Sequence, residues 1–369
     1  MIYLDNAATS LIKPASVERA MHEALRSMAS PGRGSHAPAM RAADTVLDCR
    51  IAAAELFHVP EAERVVFTFN ATHALNIAIK SLARRGSRVL ISGFEHNSVT
   101  RPLYQIGAEV VTAGTALFDR EAVLRDFAEK MEGADLVVCT QVSNVFGFIL
   151  PIYEIAGLCH EKGVPLIVDA SQSAGVLDVD YGRLKAAFIA MPGHKGLYGP
   201  QGTGILLCGQ EGTPLLQGGS GSDSIPQHMP DYLPDHLEAG THNVTGIAGL
   251  LAGIRFVQEK GIDRIRRHEH TMLDLMRQEL VGEERLELFL GDGEQQSGVL
   301  SLRCRDVSCE ELAGKLGEQG ICVRSGMHCA PTAHRSAGTI DTGTLRFSFS
   351  AFTSENEVRR AGQTLLKII

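Results

Sequence analysis

Seven short apolar runs between residues 65 and 208 constrain this chain more than any other feature: "VVFTF", "RVLIS", "EVVTA", "LVVCT", "PLIVDA", "FIAMP" and "GILLC". They are rich in β-branched residues and lack a strict apolar/polar alternation. Most are separated by amphipathic or glycine-containing segments long enough for a helix. Strands of that kind are covered on both faces, and helix-length spacers make parallel crossovers. The reading is an α/β fold with a seven-stranded, mainly parallel central sheet flanked by helices. A length of 369 residues with 44% apolar content is enough to build it around a sizeable core.

After "GGSGSDSIPQHMPDYLPDH" (218–236), too rich in Gly, Pro and Asp for regular structure, the pattern changes to long helical stretches and then an α+β tail. The expected division is a large domain over 15–259 and a smaller α+β domain made of 1–14 with 260–369. In the tail, "SCEE" and "SENE" have the form of a capping box, so helices should begin after Ser308 and Ser354. No internal repeat is visible.

A formal net charge of -8 and a pI near 6.0 argue against a broad nucleic-acid surface and favour a small-molecule partner. The first residues, "MIYLDNAATS", have no basic start before an apolar run, and no stretch is long and apolar enough to span a membrane. Eight cysteines without a CxxC pair disfavour disulfide and structural zinc frameworks. The expectation is free thiols in a reducing cytoplasm, with no membrane, nucleic acid or metal.

Ligands of open α/β sheets sit at the carboxyl ends of the strands. The residues after the apolar runs are therefore the ones to inspect, and they are Thr72 and His73 opening a helix, His96, Asn144, Asp169, Gln172, His194 and Lys195. Each has an ordinary reading too: a helix cap, a loop cap, turn residues, satisfied histidines, a solvated lysine. Together they are the chemical types that pyridoxal phosphate requires. A lysine forms a Schiff base, a carboxylate keeps the pyridine nitrogen protonated, and a helix N-terminus holds the phosphate. Asp169 precedes Lys195 by 26 residues, and glycines flank the lysine. A nicotinamide site fits poorly, because no G-x-G-x-x-G follows the first strand.

Over nearly its whole length the chain resembles the class V aminotransferase group of fold-type I pyridoxal phosphate enzymes. Within that group it is similar to the cysteine desulfurases and selenocysteine lyases. The motifs are "YLDNAATS" with "KP" (3–14), "EHNS" (95–98), "VSNVFG" (142–147), "DASQSAG" (169–175), "GHKGLYGPQGTG" (193–204), "EAGTHN" (238–243) and "RSGMHCAP" (324–331). The resemblance implies that Lys195 is the Schiff-base lysine, that His96 stacks on the ring, that Asp169 pairs with the pyridinium nitrogen and that Gln172 bonds the ring oxygen. It implies phosphate ligands in Thr72, His73 and His194, with Thr241 reaching over from the second subunit of a homodimer. Asn144 and Arg346 would hold the substrate carboxylate, with His36 also on the substrate side.

The "R-x-G-x-H-C-A" form is similar to that of the type II desulfurases, whose cysteine sits on a short ordered loop. The implied activity is a lyase acting on L-cysteine, with Cys329 attacking the substrate sulfur, carrying a persulfide for a sulfur-acceptor protein, and releasing alanine. Such a thiol should be reachable and ionised by positive charge from His328 or Arg324. Alternatives are a selenocysteine lyase, another class V aminotransferase or β-lyase, and a non-catalytic sulfur carrier. Two features depart from the family pattern. Pro192 stands where a serine hydroxyl is usual, and "APTAHRSAGTIDTGTL" after Cys329 is atypical, with His334 and Arg335 expected at the entrance.

Overall fold

The computed structural model describes residues 1–32 and 34–369. The chain opens with strand β1 (Ile2–Tyr3). After two helices come the seven expected strands: β2 (Val65–Thr68), β3 (Arg88–Ser92), β4 (Glu109–Ala113), β5 (Leu136–Thr140), β6 (Leu166–Asp169), β7 (Phe188–Pro192) and β8 (Gly204–Cys208). They form one sheet in the order β2-β8-β7-β6-β5-β3-β4. β8 alone runs against the common direction of the other six, antiparallel to both β2 and β7. The reason is length: residues 193–203 are too few for a crossover helix, so the chain must return beside β7 in the opposite sense.

Helices cover both faces of this sheet, which explains why its sequence does not alternate. In β5, Val137 and Cys139 enter one apolar core while Leu136 and Val138 enter the other. In β7, Ile189 and Met191 face the first and Phe188 and Ala190 the second. Period-two geometry persists, but both destinations are dry.

The rest of the chain builds a second sheet from β9 (Leu286–Phe289), β10 (Val299–Cys304), β12 (Arg324–Gly326) and β13 (Thr344–Ser348), in the order β12-β13-β10-β9, while β11 (Ile321–Cys322) pairs with β1. A third core joins Ile2 and Leu4 to Met272, Leu300, Phe347 and Leu365, so the first residues of the chain are packed among its last. Ser308 and Ser354 both cap helices, but the reciprocal capping box forms only at Ser354 with Glu357. The irregular stretch after β8 is fastened to the sheet by Glu238. That buried carboxylate receives both arms of Arg50 at 2.8 Å and the Phe67 N–H at 2.6 Å.

Candidate active site

The carboxyl ends of β2, β3, β5, β6 and β7 meet around a cavity of about 200 Å³. Its wall includes Thr72, His96, Asn144, Asp169, Gln172, His194 and Lys195, seven residues expected from the sequence to share one site. The N-terminal turn of the helix Ala71–Leu82 borders it through Ala71 and Thr72, with Asn70 capping that helix by accepting the His73 N–H at 2.9 Å.

Lys195 faces this cavity and is otherwise enclosed by protein. Burial lowers its ammonium from 10.5 to about 8; Asp169 pulls upward, and Arg346 and Arg324 push further down. That lowering brings the free amine, the form an attacking lysine uses, much closer to neutral pH. Asp169 is buried at the end of β6, and its Oδ1 accepts the Ser171 N–H at 2.9 Å. Gln172 is held by donating its Nε2 to Ala7 O at 3.0 Å.

His96 is lowered to about 4, chiefly by burial, so its ring is neutral. Nδ1 accepts the Ser98 N–H at 3.1 Å, which leaves the proton on Nε2. Ser98 Oγ lies 2.9 Å from the same nitrogen and 2.7 Å from Thr72 Oγ1. A chain of hydroxyls thus joins the ring to the helix N-terminus. Ser98 lines the cavity that Pro192 leaves without a hydroxyl, and it was legible only as the last letter of "EHNS". His194, also lowered to about 4 by burial and then by Lys195, lies with Nδ1 3.0 Å from Thr9 Oγ1.

His73, Thr241 and His36 do not line this cavity. The His73 ring stacks on Phe69 with centroids 4.7 Å apart and accepts the Phe69 N–H, so it turns into a neighbouring cavity instead of the one with Lys195. Thr241 borders that same neighbouring cavity and is exposed. His36 is exposed at the start of the helix Ala37–Leu56, where its ring accepts the Ala39 N–H.

Arg346 is 2% exposed, and its fork is already engaged: Nη2 donates to Asp5 Oδ1 at 2.7 Å and Nη1 to Asn144 O at 2.8 Å, while Nε has no partner among the described residues. Arg324 lies directly across the ladder from it on β12, exposed, so two guanidinium groups share one face of the second sheet.

Cys329 is exposed and sits in a turn between β12 and the short helix Pro331–Ser336. His328 and Cys329 both have left-handed backbones, with φ of 46° and 58°. Such a conformation persists only when its surroundings hold it. Here Cys329 O accepts the Asn97 N–H at 2.8 Å, His328 O accepts from Asn144 Nδ2 at 2.7 Å, and Thr332 Oγ1 donates to Glu95 O at 2.7 Å. The turn is therefore bolted beside His96. Five other thiols are buried, and burial pushes them all upward, Cys309 to about 11 and Cys159 to about 12.

Two expectations for this segment are overturned. His328 carries no positive charge for Cys329: burial first and Arg346 second lower it to about 2, and Nε2 lies 3.1 Å from Thr344 O. His334 is not at the entrance. It is fully buried, 2.7 Å from Thr339 Oγ1 and packed beside the Phe146 ring. Arg335 is exposed.

The pattern of the aminotransferase class-V family matches residues 2–361. The chain belongs to that family. Among its class-V relatives, a probable cysteine desulfurase of Methanothermobacter thermautotrophicus is 32% identical, covering 100% of this chain and 94% of the relative. One from Pyrococcus abyssi is 32% identical over 97% of this chain and 92% of its own length. In structure, the chain superposes on the apo cysteine desulfurase of Thermococcus onnurineus with a TM-score of 0.91 and 31% identity, covering 100% of this chain and 94% of that one. Against an Escherichia coli cysteine desulfurase the TM-score is 0.87 at 26% identity, covering 99% and 94%. Among the described residues, no group of three or more His, Cys, Asp or Glu is arranged to hold a metal, and no helix is long and apolar enough to cross a membrane.

Proposed function

We propose that this class-V protein is a pyridoxal phosphate-dependent cysteine desulfurase that converts L-cysteine to L-alanine and leaves a persulfide on Cys329. The observation that carries the reading is the pairing, around one site, of a desolvated lysine facing a buried carboxylate with an exposed cysteine in a pinned turn. The cysteine desulfurases among its relatives support the same assignment.

The donor set suits pyridoxal phosphate. The helix N-terminus at Ala71 and Thr72, with Ser98 and His194, suits the phosphate dianion. The neutral face of His96 suits the ring, Asp169 the pyridine nitrogen, and Gln172 the ring oxygen. His73, Thr241 and His36 lie outside this cavity, and Thr241 serves a second copy of the chain in a homodimer. Bound there, pyridoxal phosphate supplies an electron sink that makes the Cα proton of an attached amino acid acidic.

The chain's own groups do the rest. Neutral Lys195 takes the Cα proton and holds it on Nζ. Asn144, Arg346 and the neighbouring Arg324 orient the substrate carboxylate, a task suited to guanidinium forks. The Cys329 thiolate attacks the substrate sulfur, an S–S bond forms as the C–S bond breaks with its electron pair left on carbon, and Lys195 delivers one proton to Cβ and a second to Cα. A protein thiol then receives the sulfur. All the described cysteines are free, and we assign the enzyme to a reducing, cytoplasmic setting.

The test is an anaerobic incubation of the cofactor-loaded protein with L-cysteine, and separately with L-selenocysteine, quantifying alanine. Alanine from cysteine that disappears in Cys329→Ala is the expected result. Alanine from selenocysteine alone, surviving in the variant, would replace the reading with a selenocysteine lyase.

A further inference from the structure

The cavity with Lys195 adjoins further spaces in the fold. A cavity of about 30 Å³, room for roughly two waters, shares Ser171, Gln172 and Lys195 with the wall of the cofactor-sized one. On its other side it shares Val176, Ser297 and Gly298 with a cleft of about 370 Å³ that reaches the surface at Arg267. The small cavity thus shares part of its wall with each of the other two.

Glu269, from the helix Ile262–Leu280, lines the middle one. The residue is 6% exposed and its carboxyl takes no hydrogen bond from any other described residue, an arrangement that suits a carboxyl facing water in the cavity. Room for it is kept by Gly298, where a Cβ would come 2.7 Å from Glu269 Cβ and 3.0 Å from Oε2.

Few titratable groups share the wall of this cavity with Glu269. From the β7–β8 connection come Lys195 and Tyr198, the latter accepting the Ala351 N–H at 2.9 Å. The segments at 6–10, 297–299 and 348–350 contribute neutral groups only. On its own helix, His268 and His270 lie within hydrogen-bond distance of Thr353 O and Gly293 O.

We propose that this middle cavity holds a file of water between Glu269 and Lys195, through which Glu269 exchanges protons with the lysine during turnover. The inference rests on the desulfurase reading. In that reaction L-cysteine and the Cys329 thiol become L-alanine and a Cys329 persulfide with no net gain of protons. The carbon is reduced and the Cys329 sulfur oxidised. The thiol proton leaves at the exposed turn, however, while the methyl group forms beside Lys195. A proton must therefore reach the lysine by another way. Protonated Glu269 gives one to the water file and recovers one from solvent through the outer cleft. Burial raises this carboxyl to about 8, so it holds its proton at neutral pH. Glu269 is a positioning residue for protons, and touches neither substrate nor cofactor.

The test has two readouts. A crystal structure of the ligand-free protein should contain ordered water within hydrogen-bond distance of Glu269. In the loaded enzyme, Glu269→Gln should lower kcat for alanine formation about tenfold or more, and abolish its decline above pH 8, while KM and cofactor absorbance stay unchanged. Gly298→Ala, which crowds the carboxyl without removing it, should lower kcat in the same direction. Failure of pyridoxal phosphate to load sinks the functional reading. A loaded enzyme with a dry cavity, or with a Glu269→Gln pH profile identical to the natural chain's, overturns this inference alone.

Discussion

Asp5 and Arg346 lie 341 residues apart in the chain and meet at 2.7 Å as a nearly buried ion pair beside Asn144. Removing one partner strands the other's charge. Asp5→Asn should lower stability by about 2–3 kcal/mol, read as a drop in Tm. Arg346→Lys loses the fork and should raise KM for cysteine about tenfold or more while the cofactor absorbance stays the same. An unchanged KM would remove Arg346 from the substrate carboxylate.

Cys329 should be the first thiol alkylated, because five of the others are buried with their thiols pushed up by desolvation. Mass spectrometry after brief iodoacetamide treatment should find one label, on Cys329, with activity lost in step. Cys329→Ala should lower kcat on the order of 10³-fold or more with the Tm hardly changed. Early labelling of Cys322 or Cys304 instead would contradict the assignment.

Burial raises Glu95 and Glu269 from 4.5 to about 8 and lowers His96, His194 and His334 from 6.5 to about 4. Between 4.5 and 8 the folded carboxyls keep protons that the unfolded chain has lost, so stability falls as pH rises. The histidines act oppositely between about 4 and 6.5, where the unfolded chain holds the extra protons. Lys195 is protonated in both states below about 8 and adds no slope there. The Tm of the ligand-free protein should therefore decline from pH 6.5 to 8, and Glu95→Gln or Glu269→Gln should each flatten the decline. A Tm rising steadily across that window would refute it.

Thr332 fastens the turn after Cys329 by donating to Glu95 O at 2.7 Å. Thr332→Val removes that bond at nearly constant volume, a loss of about 1 kcal/mol. The expected result is faster protease cleavage between residues 327 and 336 and a several-fold lower kcat, with cofactor binding intact. Equal proteolysis of the two proteins would mean that the bond does not hold the turn.

Glu238 ties the segment carrying Thr241 to Arg50, with side chains only 2% and 8% exposed. Glu238→Gln or Arg50→Ala leaves a buried group without its counter-charge, at about 3–5 kcal/mol. A clear fall in Tm is expected for both, and the double variant should lose less than the sum of the two. Strict additivity would show that the two residues do not act as a pair.

The sequence by itself determined the central sheet and the seats of its site. Runs such as "LVVCT" and "PLIVDA" mark strands covered on both faces, and the residues just beyond them are placed by strand geometry alone; Asp169 and Lys195 could thus be found without a structure. The family resemblance then supplied expectations that no local pattern contains. The tertiary structure decided what depends on distant partners: the Asp5–Arg346 pair, the burial that keeps His328 neutral, the turning of His73 onto Phe69, the inward placement of His334, and the cavity around Glu269. The physical reason is one throughout. Periodicity sets where a side chain leaves the backbone, whereas its charge state and neighbours depend on what long-range packing removes from water.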